Sequence, residues 1–343
     1  MSRFLPVIVL VLLAPVVAEL LYGTISVTQA TALLFVLPIY GAGALLIREV
    51  VRRSERGWGS ILLLGAAYGV IEEGLVLQSF FNPTLYRASE WGARLFGVNW
   101  VYVEAMLVLH AVWSIAIPIL LTELLFPSWS RKPYLGRFGL VVTTTFYILG
   151  VLLLMLSTHT SLAPGYWAPP VLLGLCALTV LVLVVVALGT RPKEVSLRQA
   201  NAPQPWVPFL TSGLGGFAYL ALLILLWRAE PIFAHSPWVL LPMLSAMILV
   251  AGVAGLLRHW SRSYDWGDRH LLALASGALI AHTLVGILDP GVKDRIDLAG
   301  LEVILVILLV LFAILVHHRL RHNADVVKEH AQGSTPNDGK PTI

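Results

Sequence analysis

Residues 58–83 read WGSILLLGAAYGVIEEGLVLQSFFNP. The apolar run beginning at Trp58 is long enough to cross ~30 Å of hydrocarbon at ~1.5 Å per residue. It nevertheless carries two adjacent carboxylates, Glu72 and Glu73, and no basic residue. Asn82-Pro83 closes it as a breaker pair. Gly65 and Gly69, four positions apart, form a small-xxx-small face on which a neighbouring helix can pack closely. A membrane-length helix with an acidic pair in its second half is therefore the first expectation.

The same pattern repeats on both sides of this run. Apolar stretches of about twenty residues, interrupted by short polar breaks, place spans at 4–22, 31–51, 58–80, 99–125, 138–158, 170–189, 208–227, 237–257, 270–289 and 300–317. Of 343 residues, 58% are hydrophobic and only 12% are charged, against roughly 25% charged in soluble domains. The fold class expected is an all-α polytopic transmembrane bundle of about ten spans over residues 1–317, followed by a disordered cytosolic tail over 318–343. The N-terminal run resembles a signal peptide, but Glu19 and Tyr22 lie where a cleavage site belongs, so it reads as a retained first helix. The single cysteine, Cys176, excludes an intramolecular disulfide and a cysteine metal centre. The pI near 9.3 raises nucleic acid as a partner. Its basic residues fall in short loops, so topology accounts for them and no nucleic-acid partner is expected.

Those loops set an orientation. Seventeen Lys and Arg fall on one side, among them Arg52, Arg53, Arg56, Arg131, Lys132 and Arg258. Five fall on the other, Arg87, Arg94, Arg228, Lys293 and Arg295, with Arg48 inside a span. By the positive-inside rule both termini are expected in the cytosol of a bacterial-type inner membrane. No internal repeat is evident, so an inverted-repeat transporter draws no direct support.

Ionisable residues are unevenly spread. The apolar cores of spans five to eight hold no Asp, Glu, Lys or Arg, whereas the first four and last two hold Glu19, Arg48, Glu49, Glu72, Glu73, Glu104, His110, Glu123, His282, Asp289 and Glu302. Each such group costs at least ~2.5–3.5 kcal/mol in hydrocarbon, so it is kept where it faces a bundle interior, a cavity or a partner. Spans one to four and nine are thus expected to build a site, with five to eight as scaffold. Glu73 and His282 lie ~10 Å, and His110 ~16 Å, from the outer ends of their spans. At about 100° per residue Glu72 and Glu73 diverge, so both are not expected to face one point squarely. His282 and Asp289, seven apart, share a helix face, and Glu104 points away from His110 as a solvated group near the interface. Glu19 is a candidate for the same outer cavity, and Tyr68 for a hydrogen bond to the glutamates. Arg48-Glu49 reads as an ion-paired anchor.

A buried carboxylate beside a like neighbour can serve as a general base toward water, and an opposing histidine can orient that water or stabilise an oxyanion. Alternatively, His110, His282 and Glu73 can be three ligands of a divalent metal with an open position. A zincin-type helix is excluded, because no His-Glu-x-x-His occurs. The same groups can also relay protons in a proton-coupled permease, or hold together a non-catalytic scaffold.

Glu72-Glu73 on one helix, His110 on the next and His282 on a late helix resemble the CAAX-protease and bacteriocin-processing (CPBP) family of intramembrane proteases. The resemblance implies hydrolysis of a membrane-embedded peptide or protein, with Glu72 or Glu73 activating water and His110 and His282 binding it or stabilising the oxyanion. The chain departs from that pattern in three places. No Arg follows the di-glutamate in Gly74-Leu75-Val76-Leu77-Gln78, Met106 stands where Phe precedes the first histidine, and Gly286 stands where Asn or Asp follows the second. Separately, Tyr40 to Glu49, Gly57-Trp58, Leu64 to Gly74 and Gln78 to Pro83 resemble a group of uncharacterised multi-spanning bacterial membrane proteins, which implies no activity.

Overall fold

The computed structural model describes residues 4–87, 92, 94–189, 199–289 and, in the last helix, 299–307, 309–310 and 313–314. The chain order is α1 (Phe4–Leu20), α2 (Val27–Arg53), α3 (Trp58–Val76), α4 (Trp100–Leu125), α5 (Arg137–Leu162), α6 (Pro170–Gly189), α7 (Trp206–Ala229), α8 (Leu240–Trp260) and α9 (Asp268–Leu288). A tenth helix, α10, includes 299–307. Among the described residues, the eight helices α2 to α9 are long and apolar enough to cross a membrane, and α1 is a shorter apolar helix. The fold is the all-α polytopic bundle that the apolar periodicity dictates. The only sheet among the described residues is a hairpin of β1 (Arg94–Leu95) and β2 (Val98–Asn99) before α4. The tail over 318–343 lies outside the described residues, as do Trp91 and the basic residues Arg191, Lys193 and Arg198.

α3 and α4 form the centre. Two-thirds of each helix's apolar window is buried, 67%, against 11% in α5, α6 and α8, which present most of their surface outward. One core gathers Tyr40, Ala44, Ile61, Tyr68, Ile115 and Ile119 from α2, α3 and α4. The other gathers Trp113, Leu121, Tyr219, Leu223, Ala275 and Leu279 from α4, α7 and α9. α4 thus faces both, and the extensive α7–α9 contact hangs from it. The α3–α4 approach rests on the small face expected from the sequence. A Cβ on Gly65 would lie 2.8 Å from the Ala111 Cα, and one on Gly69 would lie 3.2 Å from the His110 Cβ.

At one end of the bundle Arg48 is fully buried and uses all five of its N–H donors. Nε donates to Glu123 Oε1 (3.1 Å) and Nη1 to Glu49 Oε1 (3.3 Å). The other three reach the carbonyls of Lys132, Trp129 and Ser130 at 3.1, 2.7 and 3.1 Å. Arg52 grips Glu123 with two bonds, of 2.8 and 2.6 Å. Glu49 accepts the Tyr134 amide (2.5 Å) and the Leu135 amide (3.3 Å), which pins loop 126–136 to α2. The Arg48 guanidinium sits 3.3 Å above the Tyr134 ring. Burial holds the Tyr134 phenol above its ordinary pKa, against the pull of Arg48, so the ring is neutral beneath the cation. The ion-paired anchor expected of Arg48-Glu49 is present, and it also includes Glu123 and a loop.

Candidate functional site

Toward the opposite end of the same helices lies a cavity of about 510 Å³. Its walls bring together Glu19 from α1, Tyr40 from α2, Glu72 and Glu73 from α3, and Tyr102 and His110 from α4. Gly23, Thr24, Ile25 and Tyr86 contribute from loops. Tyr86 precedes the β1–β2 hairpin, where Arg94 donates to the carbonyls of Phe81 (2.7 Å) and Asn82 (3.1 Å), fixing the hairpin to the end of α3.

Each acidic or histidine group that α1, α3 and α4 contribute to the cavity sits in a π-helical segment. Glu19 lies in Val16–Leu20, Glu72 and Glu73 in Val70–Val76, and His110 in His110–Ala116. Such single widened turns recur at functional sites. Pro15 and Pro118, which lack an amide, remove a rung from the regular ladder beside two of these segments. The widened turn explains a departure from the expected angles. In an ideal α-helix Glu72 and Glu73 diverge too far to meet one group, whereas here both reach the His110 ring. Glu73 Oε1 lies 3.1 Å from Nε2, and Glu72 Oε2 lies 3.5 Å from Nδ1. Ser114 Oγ lies 3.1 Å from the same Nδ1.

The two glutamates are not equivalent. Glu73 Oε2 accepts hydrogen bonds from Ser79 and from Tyr102 (3.2 Å), so both Glu73 oxygens are engaged. Ser79 is delivered by a sharp reversal after α3, where Gln78 adopts a φ of 55°, a left-handed conformation that is sparse for side-chain-bearing residues. Gln78 is held there by accepting the Ala168 amide at 2.7 Å. Glu72, only 3% exposed, has a buried Oε2 that makes no hydrogen bond among the described residues. Glu19 accepts a hydrogen bond from the Tyr40 hydroxyl, and the Tyr40 ring lies 6.3 Å from that of His110. Tyr68 stands edge-on to His110 with ring centroids 5.7 Å apart, and its hydroxyl makes no hydrogen bond among the described residues.

Three placements depart from expectation. His282 is fully buried at the expected level, but it is stacked on Trp113 (5.4 Å) and packed on Tyr22 (5.0 Å) and does not line the cavity. Its depth matches the site, while its azimuth on α9 turns it into the α1–α4–α9 packing. The divalent-metal set His110, His282 and Glu73 is consequently not brought together, and no group of three His, Cys, Asp or Glu among the described residues could hold a metal ion. Secondly, Glu104 is not a solvated group. Both carboxylate oxygens are buried without a hydrogen bond, and the Tyr219 hydroxyl donates to its backbone carbonyl at 2.6 Å. Thirdly, α7 is more than scaffold. Ile224 and Arg228 line the cavity, with Arg228 paired to Asp289. Asp289 also accepts from the Tyr22 hydroxyl at 3.2 Å, so Tyr22 spans the two residues, His282 and Asp289, that share a face of α9. The sequence placed Arg228 in an outer loop, and nothing in its spacing pointed toward the cavity.

An all-α polytopic membrane protein with a buried glutamate–histidine cavity is the class that fold and site define. The chain belongs to an uncharacterized membrane protein family, whose model matches residues 8–288. That match runs from within α1 to the end of α9 and covers every residue of the cavity except Asp289. No curated protein and no solved structure matches the chain.

Proposed function

We propose that the cavity is the active site of an intramembrane hydrolase, a divergent relative of the CPBP proteases, acting on a membrane-embedded peptide or protein. The observation that carries this reading is His110 held between Glu73 at 3.1 Å and Glu72 at 3.5 Å on the wall of a buried cavity. Glu73, saturated by His110, Ser79 and Tyr102, orients the imidazole. Glu72 has the uncommitted oxygen and is assigned as the general base. It takes a proton from water as the water oxygen bonds to the substrate carbonyl carbon. The resulting oxyanion is stabilised by the field of the adjacent His110 imidazole, or by direct donation from its Nδ1 once that nitrogen gives up Ser114. Collapse breaks the C–N bond, and the proton held on Glu72 passes to the departing amine. In this reading His282 acts by packing, through Tyr22 and Trp113, and not by contact with the substrate.

The test is cleavage of fluorescent transmembrane reporter peptides in reconstituted vesicles. Glu72→Gln and His110→Ala should each lower turnover about 10²–10⁴-fold while thermal unfolding still shows a folded protein. Unchanged turnover in either variant removes the hydrolase reading.

A second reading, a proton-coupled permease, is favoured by Glu19, whose bond from Tyr40 extends the acidic layer from α3 to α1. It requires a pH-dependent flux in proteoliposomes that Glu72→Gln abolishes. A non-catalytic scaffold would instead lose stability or partner capture with no turnover or flux to lose. With either activity we assign both termini to the cytosol of a bacterial-type inner membrane, from the seventeen-to-five charge bias. Labelling of single cysteines introduced at 56 and 235 from each side of the membrane checks that assignment.

A further inference from the structure

We propose that the cavity binds a ligand carrying a primary ammonium group on an apolar chain, with Glu19 as its principal counter-charge. The inference goes beyond hydrolysis, since it concerns what the cavity holds and not what is done to it. Four carboxylates line the space, Glu19, Glu72, Glu73 and Asp289, against one guanidinium and one imidazole. The guanidinium, Arg228, is engaged by Asp289, and His110 is engaged by Glu73. Glu19 is left without a basic side chain, and Glu72 has only the His110 imidazole, at 3.5 Å, which it shares with Glu73; the excess of carboxylates disfavours an anionic ligand and favours a cation.

A second observation identifies the kind of cation. Glu72 Oε2 is buried in the cavity wall and makes no hydrogen bond among the described residues. A buried acceptor without a donor costs about 1–3 kcal/mol, which a ligand N–H recovers and a quaternary ammonium does not. Glu19 is fixed in place by the Tyr40 hydroxyl. The rings of Tyr22, Tyr40, Tyr86 and Tyr102 also line the space, and aromatic faces attract a desolvated cation. The remaining wall is apolar, with Leu77, Met106, Leu109 and Leu154. A space of about 510 Å³ is that of an organic ligand, far more than a bare ion needs.

The experiment is calorimetric titration of the full-length protein in lipid nanodiscs. The probes are n-butylammonium, butyltrimethylammonium, butanoate and butanol. Butylammonium should bind, with butanoate and butanol at background and the quaternary ion weaker. Glu19→Gln should weaken butylammonium binding about tenfold or more, and Glu19→Asp should retain part of it. Butylammonium binding no tighter than butanol overturns the proposal, as does unchanged binding in a folded Glu19→Gln protein. Quaternary binding as tight as the primary amine overturns the hydrogen-bonded assignment. If Glu19→Gln does not fold, Tyr40→Phe, which leaves the carboxylate in place but unfixed, should weaken binding measurably, and unchanged binding there counts against the proposal. Binding is read without turnover, so a failed cleavage assay leaves this inference standing, and a failed titration leaves the cleavage assay standing.

Discussion

Two buried polar clusters, around Glu123 and around His110, share helices α2 and α4 and differ in how completely they are satisfied. His110 and Glu123 are separated by roughly 20 Å along α4. Around Glu123, the Arg48 guanidinium exhausts its donors on Glu49, Glu123 and three loop carbonyls. Around His110, Glu72 Oε2 and the Tyr68 hydroxyl are buried and unbonded among the described residues, and a cavity adjoins them. Both clusters look alike in sequence, as charges set in apolar runs. The difference teaches that the cost of burying a charge marks either anchorage or function, and that the unused hydrogen-bonding capacity separates the two.

That contrast breaks most readily at Arg48. Arg48→Met should destabilise the protein by about 3–5 kcal/mol, because Glu49 and Glu123 stay buried with less compensation. The readout is the unfolding midpoint in detergent, and a loss no larger than that of Glu72→Gln would erase the distinction between anchor and site. Next in size is Gly65→Ala, whose Cβ must displace the Ala111 backbone. It should cost about 1–3 kcal/mol and disturb both clusters through the α3–α4 spacing. Tyr102→Phe removes one bond from the saturated Glu73 and should cost about 0.5–1.5 kcal/mol, sharpening the assignment of Glu73 as the orienting carboxylate. Smallest is the Arg228–Asp289 pair at the mouth, whose arginine side chain is partly exposed while Asp289 is buried. A double-mutant cycle on Arg228 and Asp289 should return a coupling of at most about 1 kcal/mol, and a larger value would make the mouth a second anchor.

Much of this was legible in the sequence. Apolar run length located eight spanning helices within a few residues, and Gly65 and Gly69 marked where α3 meets α4. The cost of intramembrane charge brought forward Glu19, Glu72, Glu73 and His110, all of which line one cavity. What stayed hidden was azimuth. Hydropathy reports depth but not which neighbour a helix face meets, so His282, at the right level, was grouped with residues it does not touch. The π-helical turns were equally hidden, because a uniform angle per residue separates the two glutamates that the structure brings to one ring. Arg228 was read from its loop charge alone, and Ser79 joins Glu73 through the turn at Gln78 that no periodicity encodes.

The Arg48 anchor also carries a consequence for how the chain is made. Its most distant donor contact joins positions 84 residues apart, and Glu123 lies 75 residues downstream. At ~5–20 residues per second, synthesis leaves α2 in place for roughly 4–17 s before the Lys132 carbonyl exists. Through that interval Glu49, one residue away, is the acidic partner already made for the arginine. The full set of contacts that holds Arg48 in place is therefore complete only once loop 126–136 has been made.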